Sequence, residues 1–99
     1  MPQGEHTFPD GFEWDEAKRR ANVAKHGIDF VDAGRVFKGN HHEWRDDRRS
    51  YGEGRIRVIG EVDGEVLFVV YTWRESRRRL ITARRANANE RKAHYTRFP

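Results

Sequence analysis

The chain has no cysteine, which excludes disulfides, thiolate metal sites and a cysteine nucleophile together and fits a reducing, cytoplasmic setting. Serine is nearly absent: Ser50 and Ser76 are the two present, and neither lies in the Gly-x-Ser-x-Gly turn that exposes a nucleophilic hydroxyl. The glycines are scattered and none completes GxxxxGK[ST], so no phosphate-cradling nucleotide loop is expected. No apolar run approaches the length that spans a bilayer, and Met1 to Gly11 show neither the basic start nor the apolar stretch of a secretory signal. A membrane is therefore not an expected partner.

Lysine is also scarce, four residues against sixteen arginines. A planar guanidinium pairs with phosphate through two parallel hydrogen bonds that an ammonium cannot copy. The net charge of +4 is unevenly spread: up to Asp47 there are seven Lys/Arg and ten Asp/Glu, and from Arg48 onward thirteen and six. The second part is the anion-facing one, and nucleic acid is the first partner to consider. The plain alternative is a solvated basic surface. With 99 residues, 35% hydrophobic and 36% charged, the composition predicts one domain with a small, aromatic-rich core.

Patterning predicts a loose leader over 1–11 and a single domain over 12–99. Phe12 to Trp14 alternate as a short strand, and Asp15 offers a helix cap. Ala17, Ala21, Ala24 and Ile28 recur at helical spacing and are expected to be the buried face of a first helix, which Lys25-His26-Gly27 ends through a left-handed glycine and two dipole-facing bases. Asp29 caps a second helix with Phe30, Ala33 and Phe37 inward, ending at Gly39. His42 to Arg45 alternate as an edge strand. Arg55 to Val62 and Glu65 to Trp73 are strands joined by the hairpin dipeptide Asp63-Gly64, Arg79 to Arg84 return as a third arm, and Asn87 with Glu90 opens a C-terminal helix reaching Tyr95. The expected fold class is α+β: an antiparallel sheet with an N-terminal helix pair and a C-terminal helix.

In the third arm, alternation assigns Ile81 and Ala83 to the core and Thr82 and Arg84 to the open face, where Arg55 and Arg57 join them if the register allows. Such a cluster holds a phosphate and its developing charge. His26 is the natural proton-transfer group, although capping alone explains Lys25 and His26 before a glycine. Tyr51, Tyr71 and Trp73 are candidates to stack on unpaired bases, Tyr71 fitting core packing with its hydroxyl at the margin equally well, and Arg74 extends the basic surface. His41 and His42 point to opposite faces of a strand, so a metal site is not expected.

These residues resemble a known family. Phe12-Glu13-Trp14-Asp15, Lys18, Asn22, Lys25-His26-Gly27-Ile28 and Phe30, then Asp46, Arg48, Ser50-Tyr51-Gly52-Glu53 and Arg55, Ile59-Gly60, Val69-Val70-Tyr71-Thr72, Ile81, Ala83-Arg84, Ala86 and Glu90 together resemble the BrnT family of type II toxins. The resemblance implies a fold similar to RelE-type ribonuclease toxins, RNA cleavage without metal or organic cofactor, and attack by the RNA 2′-OH. In that reading His26 exchanges protons, Lys25 and Arg84 hold phosphate, Arg55 assists, and Tyr51, Arg57, Tyr71 and Arg74 bind RNA. It also implies a ribbon-helix-helix antitoxin (BrnA-like) in a 2:2 complex that binds operator DNA through the antitoxin. A different class, a non-catalytic nucleic-acid or protein-binding module, uses the same arginines for electrostatic binding alone. The stretch from Asn40 to Arg45, rich in histidine and charge, departs from the family pattern.

Overall fold

Two residues with positive φ, Asp63 at 51° and Gly64 at 81°, make the tight turn that the sequence announces, and the sheet grows from the hairpin they close. A computed structural model describes residues 5–7, 11–46 and 54–99. Its strands are β1 Glu5–Thr7, β2 Phe12–Asp15, β3 His41–Arg45, β4 Arg55–Val62, β5 Glu65–Arg74 and β6 Arg77–Arg85. Its helices are α1 Glu16–His26, α2 Phe30–Ala33 and α3 Ala88–Arg97, with a 3₁₀ turn at Gly34–Lys38 continuing α2. The strands form one mixed sheet in the order β1-β2-β6-β5-β4-β3.

This is an α+β fold, but the expectation of an antiparallel sheet opened by a helix pair is corrected in two respects. Strands come first, and β2 runs parallel to β6, with Phe12 opposite Arg78 and Glu13 opposite Arg79. Alternation reveals which face a side chain takes, not which strand lies beside it or in what direction. Phe12 and Trp14 anchor β2 by packing against Phe37 and Phe30, which seats it at the outer edge of the meander. Glu5–Thr7, inside the stretch expected to be a loose leader, pairs antiparallel with β2.

Both faces of the sheet are covered. On one, α1, α2 and the 3₁₀ turn enclose a core that includes Trp14, Phe30, Val36, Val58, Val69, Tyr71 and Leu80. On the other, Ile59, Val66, Phe68, Val70 and Ala86 form a smaller cluster joined by Trp44 and Ile81. Gly60 lets the first layer come close: a Cβ there would lie 3.0 Å from both His41 Cβ and Val36 Cβ. The register shifts between Val70, opposite Thr82, and Tyr71, opposite Leu80. Ile81 is the extra residue of this bulge, so it joins the second cluster while Ala83 joins the first. The pairing of Ile81 with Ala83 on one face is thereby corrected.

Helix α1 also buries a different side from the one its alanines suggest. Ala17, Ala21 and Ala24 are exposed, and Asn22 is the buried residue of the helix. The reason lies in β6. Pairing with β2 stops at Arg79, so beyond it this edge of β6 has no strand neighbour. The Asn22 carboxamide takes that place: Nδ2 donates to the carbonyls of Ala83 (2.8 Å) and Ile28 (2.9 Å), and Oδ1 accepts from Ala83 N–H (3.1 Å). One amide thus satisfies both main-chain groups of Ala83 and ties the loop after α1 to the sheet. Replacing Asn22 by Ala leaves those groups buried and unpaired, at about 1–3 kcal/mol each. Urea unfolding of Asn22→Ala is expected to show a stability loss of about 3 kcal/mol, whereas Ala21→Ser, on the exposed side, changes little.

Candidate nucleic-acid interface

Strand parity sorts the arginines before any contact is considered. Arg55 and Arg57 lie opposite Thr72 and Val70, and Arg77, Arg79 and Arg84 lie opposite Arg74, Thr72 and Phe68. These residues therefore share the face turned away from α1 and α2. Helix α3 covers the part of this face nearest the Asp63-Gly64 turn, where Tyr95 donates from its hydroxyl to Glu61 at 2.9 Å. Arg55, Arg57, Arg77 and Arg79 stand on the rest of the face, toward the β5–β6 turn, while Arg84, opposite Phe68, stands at the end that α3 covers.

Arg84 and Arg57 are held differently. The Arg84 guanidinium lies 4.1 Å from the Phe68 ring centroid and pairs through both Nη atoms with Glu90, at 2.8 and 3.0 Å. Glu90 is also half of the α3 capping box: its Oε1 accepts from Asn87 N–H while Asn87 Oδ1 accepts from Glu90 N–H, both at 2.8 Å. Arg84 thus fixes the start of the helix that covers the second cluster. Arg57 lies 5.0 Å from the Trp44 ring centroid. Its Nε is buried, and no hydrogen bond or ion pair to Arg57 is found among the described residues. Arg79 pairs with the buried Glu13 at 3.0 Å.

Burial alone would raise the Glu90 carboxyl. Hydrogen bonds from Arg84 and the Asn87 backbone, with the charges of Arg84 and Arg57, outweigh it and hold the group below the usual carboxylate range. Arg57 acts on this carboxylate through its charge alone, without a hydrogen bond or ion pair to it among the described residues.

The other residues singled out by the sequence fall in several places. Tyr71 belongs to the first core, at 2% exposure. Its hydroxyl donates to Glu43, and burial together with that bond pushes it up to about 12. It offers no ring face to a base, so its assignment as a stacking platform is corrected. Trp73 is about half exposed, and Arg78 stacks between it and Phe37, on the same face as Tyr71. Arg74 is exposed beside the β5–β6 turn. Tyr51 lies outside the described residues.

Lys25 and His26 end α1, and the His26 carbonyl accepts from Arg85 Nη1 at 3.0 Å. Arg85 lies opposite Leu67 of the first core, so it turns to the helix-bearing face while Arg84 turns away. The structure therefore brings Arg55, Arg57 and Arg84 onto one face and does not bring Lys25 and His26 there with them.

Strand β3 supplies what the sequence reading overlooked. Trp44 lies opposite Arg57, and His42 lies opposite Ile59. The His42 and Trp44 rings stack at 5.2 Å and 27° on the arginine-bearing face, while His41 turns the other way to Phe37. Burial first, then the charge of Arg97, lower the pKa of His42 against a smaller opposing effect of Glu43. Alternation in 42–45 carried this signal. It lacked the pairing partner that gives the alternation its meaning.

Comparison with family models matches residues 14–90 to "Ribonuclease toxin, BrnT, of type II toxin-antitoxin system". The matched stretch runs from Trp14 to Glu90 and includes the whole arginine face. Among curated proteins none matches the chain.

The depressed Glu90 carboxyl makes the site sensitive to acid. Its contribution to stability is complete above the carboxyl's unfolded-state pKa and is lost as pH falls through the lower folded-state value. Urea unfolding across an acidic pH series should show Glu90→Gln less stable than the parent near neutrality, with the gap closing as pH falls. A gap of constant size would mean that the carboxylate charge is not what ties α3 to Arg84.

Proposed function

The chain belongs to the BrnT family of ribonuclease toxins of type II toxin–antitoxin systems, and from that premise we propose that it is an endoribonuclease whose arginine face holds the scissile phosphate. The observation that carries the proposal is Arg57. Its guanidinium stacks on Trp44, and among the described residues no carboxylate pairs with it. A preorganised cation of this kind stabilises charge that grows on a phosphate in the transition state. Arg55, two residues earlier on the same face, and Arg84, two strands away, flank it.

In the proposed reaction the 2′-oxygen of one ribose attacks the adjacent phosphorus. A bond from O2′ to phosphorus forms, the bond from phosphorus to O5′ breaks, and the products carry a 2′,3′-cyclic phosphate and a 5′-hydroxyl. The 2′-OH proton must leave and O5′ must gain one. His42, whose pKa is lowered, is neutral at physiological pH and lies beside Trp44, which suits it to accept a proton. His26 has a part in this step only if the RNA reaches around the β6 edge, and Lys25 then meets phosphate on the same approach. The resemblance supplies no cofactor, and the residues named here do the work.

The proposal extends to the setting. The protein acts in the cytoplasm, arrests growth by cutting RNA, and is neutralised by an acidic, ribbon-helix-helix type antitoxin that covers the arginine face, in a 2:2 complex bound to operator DNA through the antitoxin. No described helix is long and apolar enough to cross a membrane.

Incubation of the purified protein with RNA tests the chemistry. Ends bearing 2′,3′-cyclic or 3′-phosphate are expected, and 3′-hydroxyl ends, or equal cleavage of DNA, would sink the 2′-OH mechanism. Arg57→Ala is expected to lower cleavage by roughly 100-fold or more, the scale of losing one oxyanion-stabilising donor. His42→Ala should lower kcat more than His26→Ala, and the reverse order would return proton transfer to the α1 end. A binding module would leave RNA intact at any incubation time.

A further inference from the structure

Beyond Trp44, on the side away from Arg57's strand neighbours on β5, the arginine face runs into a groove between β3 and α3. Its walls are His42 on the strand and Asn89, Lys92, Ala93, Thr96 and Arg97 on the helix, and its volume is about 580 Å³. That falls within the roughly 300–1,000 Å³ of small-ligand sites. None of these lining residues is a carboxylate. Two are cations with exposed side chains, and one is an imidazole stacked on an indole.

The groove is continuous with the phosphate site through one ring. The Arg57 guanidinium lies 5.0 Å from the Trp44 centroid and the His42 ring 5.2 Å from it, so the two groups are within about 10 Å of each other. That is a separation neighbouring nucleotides of one strand can bridge. A cationic track with aromatic rings along it is the arrangement that holds single-stranded nucleic acid without reading its sequence. Arg97 alone would be explained by the negative end of the α3 dipole. Lys92, a turn earlier on the same groove wall, has no such explanation.

We propose that the groove between β3 and α3 is a second nucleotide subsite, in which Lys92 and Arg97 hold the phosphate next to the scissile one and the His42–Trp44 stack supports its base. The inference rests on the reading of the arginine face as the RNA site, and it adds where the strand leaves that face. The strand runs from Arg57 over Trp44 and out along the last two turns of α3. Family membership requires none of this. Lys92, Ala93, Thr96 and Arg97 of the groove lie beyond the residues 14–90 that the family model matches.

The test uses the full chain and a single-stranded oligoribonucleotide with 2′-O-methyl groups throughout, which binds but cannot supply the attacking hydroxyl. Affinity is read by fluorescence anisotropy over a salt series for the parent, for Lys92→Gln/Arg97→Gln, and for Lys18→Gln/Arg20→Gln. The last pair lies on exposed positions of α1 and removes the same charge. The groove pair is expected to bind about ten-fold more weakly, with a salt slope shallower by about 0.7, the value for one single-strand phosphate contact. The α1 pair should bind like the parent.

The His42 ring gives a second readout. Phosphate neutralising Arg97 removes a charge that holds its pKa down, so NMR titration should show that pKa rise when the oligonucleotide binds to the parent. Equal weakening by both pairs would mean diffuse electrostatics and would overturn the subsite. So would groove variants that bind RNA like the parent, including variants that instead lose an acidic protein partner. A parent that cleaves RNA alongside unaffected groove variants separates failure of the subsite from failure of the RNA reading. A parent that neither binds nor cleaves overturns both.

Discussion

Strand β5 is apolar on both sides, with Val69 and Tyr71 in one cluster and Phe68 and Val70 in the other, and a strand of that kind forces the sheet to be covered twice. Two helices and a 3₁₀ turn accomplish this on one face. Among the described residues the other face is covered by α3, ten residues and so about 15 Å long, enough to cross three strands but not to lie over their whole length. The part of the face that α3 leaves open is where Arg55, Arg57, Arg74, Arg77 and Arg79 stand, with Arg84 at the covered end. The candidate site is in this sense a consequence of asymmetric cover, in which the described residues enclose one cluster fully and the other at one end.

Guanidinium groups crowded on a sheet repel one another, and the surroundings offset this in two ways. Some are neutralised: Arg84 by Glu90 and Arg79 by Glu13. Others lie against rings, as Arg57 does over Trp44, where the ring quadrupole contributes about 0.5–1 kcal/mol at an exposed site. The two devices differ in what they leave available. A guanidinium paired through both Nη atoms has spent its strongest donors, whereas one stacked on a ring keeps its in-plane donors for a ligand. Arg84, which the sequence offers as the leading phosphate ligand, is the more structural of the two in the free protein.

The sequence disclosed local structure well and neighbourhood poorly. The Asp63-Gly64 hairpin, the Asn87–Glu90 capping box and the left-handed Gly27 with φ of 70° are each decided by a few adjacent residues, and each is present. The sharing of one face by Arg55, Arg57 and Arg84 follows from alternation once the strands pair in the observed register. What failed needed contacts far apart in the chain. Ala17, Ala21 and Ala24 have the spacing of a buried face, yet alanine also recurs because it favours helix anywhere. The decisive residue was Asn22, polar and 61 positions from Ala83, to which it is bonded. Tyr71 was left between core and ligand because periodicity cannot tell which side of a doubly apolar strand meets the thicker layer, and Ile81 was misplaced because a bulge shifts parity midway along β6.

Glu90 links the structural and the chemical sides of the molecule. The same carboxylate accepts from the Asn87 backbone, opening α3, and from Arg84, fixing that helix to the sheet. An anion arriving at Arg84 must compete with a charge-assisted, two-bond contact already in place, and success would loosen the start of the helix that closes the second cluster. An anion arriving at Arg57 displaces no protein carboxylate and disturbs no cap. On the proposed reading, the cheaper route for phosphate is therefore through Arg57. Toward Trp44 and β3 the face continues without a carboxylate among the described groove residues, which is the direction the proposed strand takes.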